Sequence, residues 1–247
     1  KKNNLHLADV AKMRRAPAFG TMVKPIGSAC NLDCHYCYYR DKSEIYGGRE
    51  PRMTDEMLEH FVKEYIDANE VDEVTFNWHG GEPLLMGLDF YRKALEYERK
   101  YANGKRVNNT LQTNGILLDD EWCKFLRDNG FLVGVSIDGP EDIHDAYRRD
   151  RGGAPTFARV IRGVEKLYRH GVEYNTMTTV NKASEGRGLD VYRFRIVVLV
   201  LEDGTHMQTV LARFCYGVGV LIVDAFPFLA KITFFPFDIH RKLLAGL

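Results

Sequence analysis

Strand and helix signatures alternate along residues 20–180, and that rhythm restricts the chain to parallel strands with helices laid outside them. Strands are expected at 21–26, 71–78, 107–113, 131–137 and 172–180, and helices at 54–69, 88–101, 119–129 and 156–170. The punctuation agrees with the pattern. Thr54 is an N-cap residue ahead of Met57, Leu58, Phe61, Val62 and Tyr65, which recur at helical spacing. Gly130 and Gly171 stop two helices, and Asp138-Gly139-Pro140 closes the fourth strand. In such folds ligands sit at the carboxyl ends of the strands. Four unusual segments fall there: the cysteine loop after strand one, Gly80-Gly-Glu-Pro83 after strand two, Gln112-Thr-Asn-Gly115 after strand three, and Ser136-Ile-Asp-Gly-Pro140 after strand four.

The cysteine loop reads Cys30-Asn-Leu-Asp-Cys34-His-Tyr-Cys37. Three thiolates at this spacing can grip one inorganic cluster. A 4Fe-4S cluster normally takes four cysteines, so one iron would stay open to an outside ligand. The competing reading is a structural zinc site in which His35 is the fourth ligand, although adjacent Cys34 and His35 would have difficulty pointing at one tetrahedral ion. Gly80 and Gly81 let backbone approach a ligand closely, and Glu82 can accept from an ammonium group. An ordinary strand-end turn, with Pro83 starting a helix, is the plainer alternative. Arg148 offers a planar fork suited to a carboxylate, and with Arg149 and Arg151 beside it a solvated basic loop is the plainer alternative. Asp138 and His144 more commonly form turns and caps than perform catalysis. Tyr36, Tyr38 and Tyr39 read either as plain core aromatics or as a dry shell around a cluster. Cys123 reads as a small buried hydrophobe, and Cys215 stands alone.

Composition excludes several classes of function. Lys+Arg and Asp+Glu are both 34, so no net basic field directs the chain to nucleic acid or an anionic membrane. Five cysteines, three of them in one loop, point to metal chemistry in a reduced compartment and to a cytoplasmic location. No signal peptide is expected. The apolar stretch 217–235 contains Asp224, Pro227 and Lys231, so it is expected to be buried structure and not a membrane span. Residues 194–247 hold 7 of the 14 Phe but only 9 of the 68 charged residues, and 196–201 read as buried strand. The flexible segments are expected at 149–154 and 182–188.

Residues 18–193 resemble the radical S-adenosylmethionine (SAM) superfamily, and within it the anaerobic sulfatase-maturating enzymes of the SPASM-type subgroup. The resemblance rests on the cysteine triplet, Trp78-His-Gly-Gly-Glu-Pro-Leu84, Gln112-Thr-Asn-Gly115 and the run from Ser136 to Arg148. It implies an α/β fold, a partial (β/α)6 TIM-like barrel whose last strand and C-terminal domain the sequence does not assign. It implies one 4Fe-4S cluster on Cys30, Cys34 and Cys37, and SAM chelating the open iron. Tyr36, Gly81, Ser136 and Arg148 match positions that contact SAM, Glu82 belongs to the same motif, and Tyr39 and His79 match positions that contact a peptide. The implied reaction is reductive cleavage of SAM to a 5′-deoxyadenosyl radical, which starts oxidation of a Cys or Ser on a sulfatase polypeptide to Cα-formylglycine. A flavodoxin or ferredoxin would supply the electron. Relatives carry two auxiliary clusters and an acidic base in a further domain. Residues 194–247 form an atypical apolar tail with no such cysteine groups, so formylglycine production is expected to be impaired. No catalytic base is identified. Another radical SAM peptide modifier and a non-catalytic iron–sulfur protein remain the alternatives.

Overall fold

The expected elements form where caps and apolar periodicity place them. The computed structural model describes residues 18–40, 42, 44 and 51–200. Helix α1 (Asp55–Ala68) starts where the Thr54 hydroxyl accepts from the Met57 amide at 3.2 Å. Helix α2 covers Leu88–Tyr101. Helix α3 (Asp120–Asp128) starts at Asp119, whose carboxylate accepts from Trp122 N–H at 2.8 Å. Helix α4 (Glu141–Tyr147) is short and was not expected from the sequence. Helix α5 (Phe157–Arg169) is followed by Gly171 in the left-handed region, at φ +67°.

Strands β1 (Thr21–Val23), β2 (Glu73–Trp78), β3 (Arg106–Thr113), β4 (Leu132–Ser136) and β5 (Tyr174–Met177) pair in parallel and in chain order. Each strand therefore lies beside the next one in sequence, the arrangement of a βα barrel, here with β1 and β5 as open edges among the described residues. Alternation separates the two faces. Val74, Phe76 and Trp78 of β2, Leu111 of β3, and Val133 and Val135 of β4 are buried in the helix-side core with Leu58, Leu126 and Leu167. The intervening residues, Asn77, Thr110, Gln112, Ser136 and Asn175, face the concave side and are half-buried and polar.

One expectation is corrected, and two segments expected to be flexible are found hydrogen-bonded. The β-branched run at 196–201 is not strand up to Val200, because helix α6 covers Gly188–Val200. The helix packs back on β5: Tyr174 Oη donates to Val198 O at 3.0 Å, and Arg195 donates to Thr176 O at 3.0 Å. Tertiary contacts outweigh intrinsic β preference there. The segment 149–154, expected to be loose, is a tight hairpin: Arg149 pairs with Pro155, and Asp150 accepts from Gly152 and Ala154 amides at 3.0 and 2.8 Å. The segment 182–188 opens with a 3-10 turn at Lys182–Ser184, closed by reciprocal capping between Asn181 and Ser184. The compact unit containing the sheet runs to Leu201. A sixth strand, Cys215 and the apolar stretch 217–235 lie outside the described residues. No helix among the described residues is long and apolar enough to cross a membrane.

Candidate functional site

The cysteine loop leaves β1 and is fastened from two sides. The first fastening is the segment after β2. His79 N–H donates to Val23 O at 2.8 Å, Gly81 N–H to Gly27 O at 2.9 Å, and Glu82 N–H to Ala29 O at 2.8 Å. A Cβ on Gly81 would lie 2.0 Å from the Ala29 oxygen, so only glycine permits this contact. Glu82 then ties the pair to β3. Its carboxylate accepts from Thr113 Oγ1 at 2.8 Å, Asn114 N–H at 2.8 Å and Leu84 N–H at 3.1 Å. Burial pushes Glu82 up to about 7, against the pull of the Asn114, Thr113 and Leu84 donors. Asn114 in turn donates to Asn31 Oδ1 at 2.7 Å and reaches the Cys30 sulfur at 3.8 Å.

The second fastening is the segment after β4. Asp33 and His35 amides donate to Arg149 and Tyr147 carbonyls at 2.9 and 3.0 Å, and Leu32 forms an antiparallel bridge with Asp150. Arg151 Nε donates to Cys30 O at 2.9 Å. Fully buried Asp138 is the centre of this wall. It accepts from Tyr36 Oη and from the Thr179 amide at 3.0 Å. Arg148 approaches it on two sides, with Nη2 3.1 Å from Oδ1 and Nε 3.0 Å from Oδ2. The guanidinium also lies 5.5 Å from the centre of the Tyr36 ring. His144 links the wall to α5. The Thr156 hydroxyl donates to Arg148 O at 2.8 Å, so the ring donates from Nε2 to Thr156 Oγ1 at 3.0 Å and accepts the Asp138 amide at Nδ1, 3.4 Å. Burial, with Arg148 nearby, pushes His144 down to about 4, so the ring is neutral near pH 7. Asp145 caps α5 by accepting from Thr156 and Phe157 amides at 2.8 and 2.9 Å. Neither Asp138 nor His144 is a helix cap, the role the plainer reading gave them; both are fully buried and join the cysteine loop, α4 and α5 through hydrogen bonds.

Between the two walls lies a cavity of about 880 Å³ at the carboxyl end of the sheet. Cys30, Cys34, Cys37, Tyr36, Tyr39, His79, Gly81, Ser136 and Arg148 all line it. Ser136 Oγ accepts from Gln112 Nε2 at 3.0 Å, and His79 Nδ1 accepts the Gly80 amide at 2.7 Å. Tyr39 lies against Tyr38 with ring centres 4.1 Å apart, and Lys24 sits 5.0 Å over its ring. Glu82 is the exception: its carboxylate is turned to the β3 end and is not part of the cavity wall. It holds the loop instead of facing a ligand. Sequence reasoning gave no site role to Thr179, Arg151 or Asn114, although Asn114 lies in a motif it singled out; their partners are all remote in sequence. Cys123 is fully buried in the helix-side core, as expected.

The donor set fits a cluster better than a single ion. Among the described residues no three His, Cys, Asp or Glu groups converge as ligands of one metal ion. His35 is exposed and rests edge-on against Tyr147, with ring centres 6.2 Å apart, so it does not complete a zinc site. A four-iron cluster takes one thiolate per iron and needs sulfurs that surround a space instead of meeting at a point. Burial pushes the Cys30 thiol up to about 12, with Glu82, Cys34 and Cys37 adding to the rise. Burial also raises Cys34, against the pull of Arg148. Buried thiols of this kind become thiolates only beside strong positive charge, which a bound cluster provides.

A family model for the radical SAM superfamily matches residues 25–194. A serine-type anaerobic sulfatase-maturating enzyme of Bacteroides thetaiotaomicron is 50% identical over 174 residues, covering 70% of this chain and 42% of that protein. A cysteine-type counterpart of Clostridium perfringens is 41% identical over 182 residues, covering 72% of this chain and 48% of that protein. The solved structure of native anSMEcpe with bound AdoMet and the Cp18Cys peptide superposes with a TM-score of 0.66 at 38% identity, covering 72% of this chain and 47% of that one. The chain thus spans less than half the length of these relatives.

Proposed function

The chain belongs to the radical SAM superfamily, and from that premise we propose that its residues form the SAM-cleaving core of an anaerobic sulfatase-maturating enzyme. The observation that carries this reading is the meeting, on one cavity wall, of the Cys30, Cys34 and Cys37 thiols with Gly81, Tyr36, Ser136 and Arg148, contributed by the loops after β1 and β2, the end of β4 and the end of α4. Cys30, Cys34 and Cys37 would each hold one iron. When bound, the 4Fe-4S cluster and SAM supply one-electron cleavage of the sulfonium, with the electron drawn from a flavodoxin- or ferredoxin-like donor. The protein's contribution is placement. Gly81 lets the segment after β2 lie directly against the cysteine loop, Tyr36 offers an aromatic face, and the Ser136 hydroxyl offers a polar contact. Arg148, which Asp138 holds charged despite its burial, offers positive charge beside Cys34. Glu82 acts one step back, by keeping the cysteine loop against β2 and β3. Tyr39 and His79, on the same wall, would meet the peptide.

The relatives named for sulfatase maturation support a sulfatase polypeptide as substrate. Formylglycine production by these 247 residues alone is expected to be impaired, because the matched stretch covers under half of those proteins. Anaerobic reconstitution with iron and sulfide separates the two steps. About four iron per chain and 5′-deoxyadenosine after reduction with SAM would support the core reading. Mass spectrometry of sulfatase-derived Cys and Ser peptides would then report the aldehyde. A fully loaded protein that releases no 5′-deoxyadenosine would overturn the proposal.

A further inference from the structure

We propose that Asp138, which does not itself line the cavity, is a positioning residue that locks Tyr36 and Arg148 together and thereby sets both SAM affinity and cluster potential. The inference rests on the function proposed above. Its carboxylate is fully buried and gathers donors from three separate segments: Tyr36 of the cysteine loop, Arg148 at the end of α4, and Thr179 beyond β5. Tyr36 and Arg148 both line the cavity, and Arg148 sits over the Tyr36 ring, so the three groups close a triangle whose two outer corners face the ligand space. Displacing one corner displaces the other, because both side chains are bound to the same buried carboxylate. Arg148 lines the same cavity as Cys34, and its charge acts on that thiol. Positive charge and donors aimed at a cluster sulfur stabilise the reduced cluster. Asp138 partly neutralises that charge and fixes its direction. Buried networks of this sort, at low dielectric, specify one arrangement.

The test compares Asp138→Asn, Tyr36→Phe and the double variant in the full chain after anaerobic reconstitution. Asparagine keeps the size and one acceptor but removes the charge. Iron content of Asp138→Asn should match wild type. Its midpoint potential, followed by the reduced-cluster EPR signal, should move to more positive values, because Arg148 is left uncompensated. SAM affinity, read from the EPR change on SAM addition, should fall by about 10–100-fold, as for other groups acting one shell behind a metal site. The double variant should be no weaker than Asp138→Asn alone, because both changes break the same link. Unchanged potential and SAM affinity at full iron loading would overturn the inference while leaving the proposed function standing. Independent, multiplying effects of Tyr36→Phe and Asp138→Asn would do the same. If Asp138→Asn does not fold, Tyr36→Phe and Arg148→Lys take its place: non-additive losses of SAM affinity support the lock, and multiplying losses refute it. A wild-type chain that binds no cluster would sink the function itself, and this inference with it.

Discussion

The helix side of the sheet and its carboxyl rim are held together by opposite kinds of chemistry. On the helix side, Phe76, Trp78, Leu111, Val133 and Leu126 are sealed from solvent among other apolar groups, and the aromatic rings of Tyr65, Phe76, Trp78, Tyr91 and Trp122 form a chain of contacts 4.9–5.9 Å apart. At the rim, beside buried Leu32, Cys34 and Tyr39, lie buried Glu82, Asn114, Asp138, His144, Arg148 and Thr156, which are held mainly by hydrogen bonds. Apolar burial is non-directional and supplies most of the stability. Hydrogen-bonded burial contributes little net energy but tolerates few alternative arrangements. The fold should therefore survive damage to the rim, whereas the site should not.

The strongest way to break that contrast is Cys34→Ala. A direct cluster ligand should cost more than the roughly 10–100-fold loss of metal affinity typical of an outer partner. Iron retained after desalting should drop accordingly, while the melting transition of the iron-free protein stays close to wild type. Unfolding of the iron-free variant would show that the rim carries the fold after all. The mirror experiment is Leu126→Ala on the helix side. That residue is fully buried, and its truncation should cost about 2–5 kcal/mol in urea unfolding. Iron per folded molecule should be unchanged. Between the two lies Gly81→Ala. The added methyl would meet Ala29 O at 2.0 Å, and both partners are backbone, so the latch must open. A stability loss of about 1–3 kcal/mol is expected, with iron retention falling by far more than Leu126→Ala causes.

How far each region could be read from sequence follows the same division. The helix side was legible because its rules are local. Thr54 and Asp119 cap helices three residues ahead of the amides they accept from, and the apolar period falls on Leu58, Val62, Tyr65 and Ile66. Where locality failed, the reading failed. Helix α4 has only seven residues, too few to show a period, and α6 carries a β-branched run that its packing against β5 overrides. At the rim, the cysteine spacing was legible because three ligands share one loop. The reason for Gly81 was only half legible: glycine was required, but the backbone that crowds it is Ala29 of the cysteine loop, before any ligand is considered. Asp138 looked like a turn former because its partner Tyr36 lies 102 positions away. Arg148 pairs with Asp138 across ten positions through a helix that the sequence did not announce. The loop at 149–154 looked flexible for its glycines, yet Asp150 pins it and Arg151 ties it to Cys30.

The smallest effect concerns the polar intrusion that the helix side does contain. Trp78 Nε1 donates to Asn109 Oδ1 at 2.7 Å, and Asn109 Nδ2 donates to Glu98 Oε2 at 2.8 Å, while Glu98 Oε1 has no hydrogen-bond partner. Burial pushes Glu98 up to about 7 from an ordinary value of 4.5, against the pull of Asn109. Between those values the folded state binds more protons than the unfolded chain, so stability is lost as pH rises through that window. The benefit of a protonated Glu98 is complete below the unfolded value and gone above about 7. Glu82 contributes with the same sign, while His144 and His79, both lowered by burial, oppose it below their ordinary value, so the wild-type slope has several sources. Glu98→Gln keeps an acceptor for Asn109 and removes one of them. Urea unfolding at pH 5 and pH 8 should therefore show a shallower decline for Glu98→Gln than for wild type, with near-equal stabilities at pH 5. An undiminished decline would mean that Glu98 already meets water, and that the helix side is less sealed than its neighbours Trp78 and Tyr91 indicate.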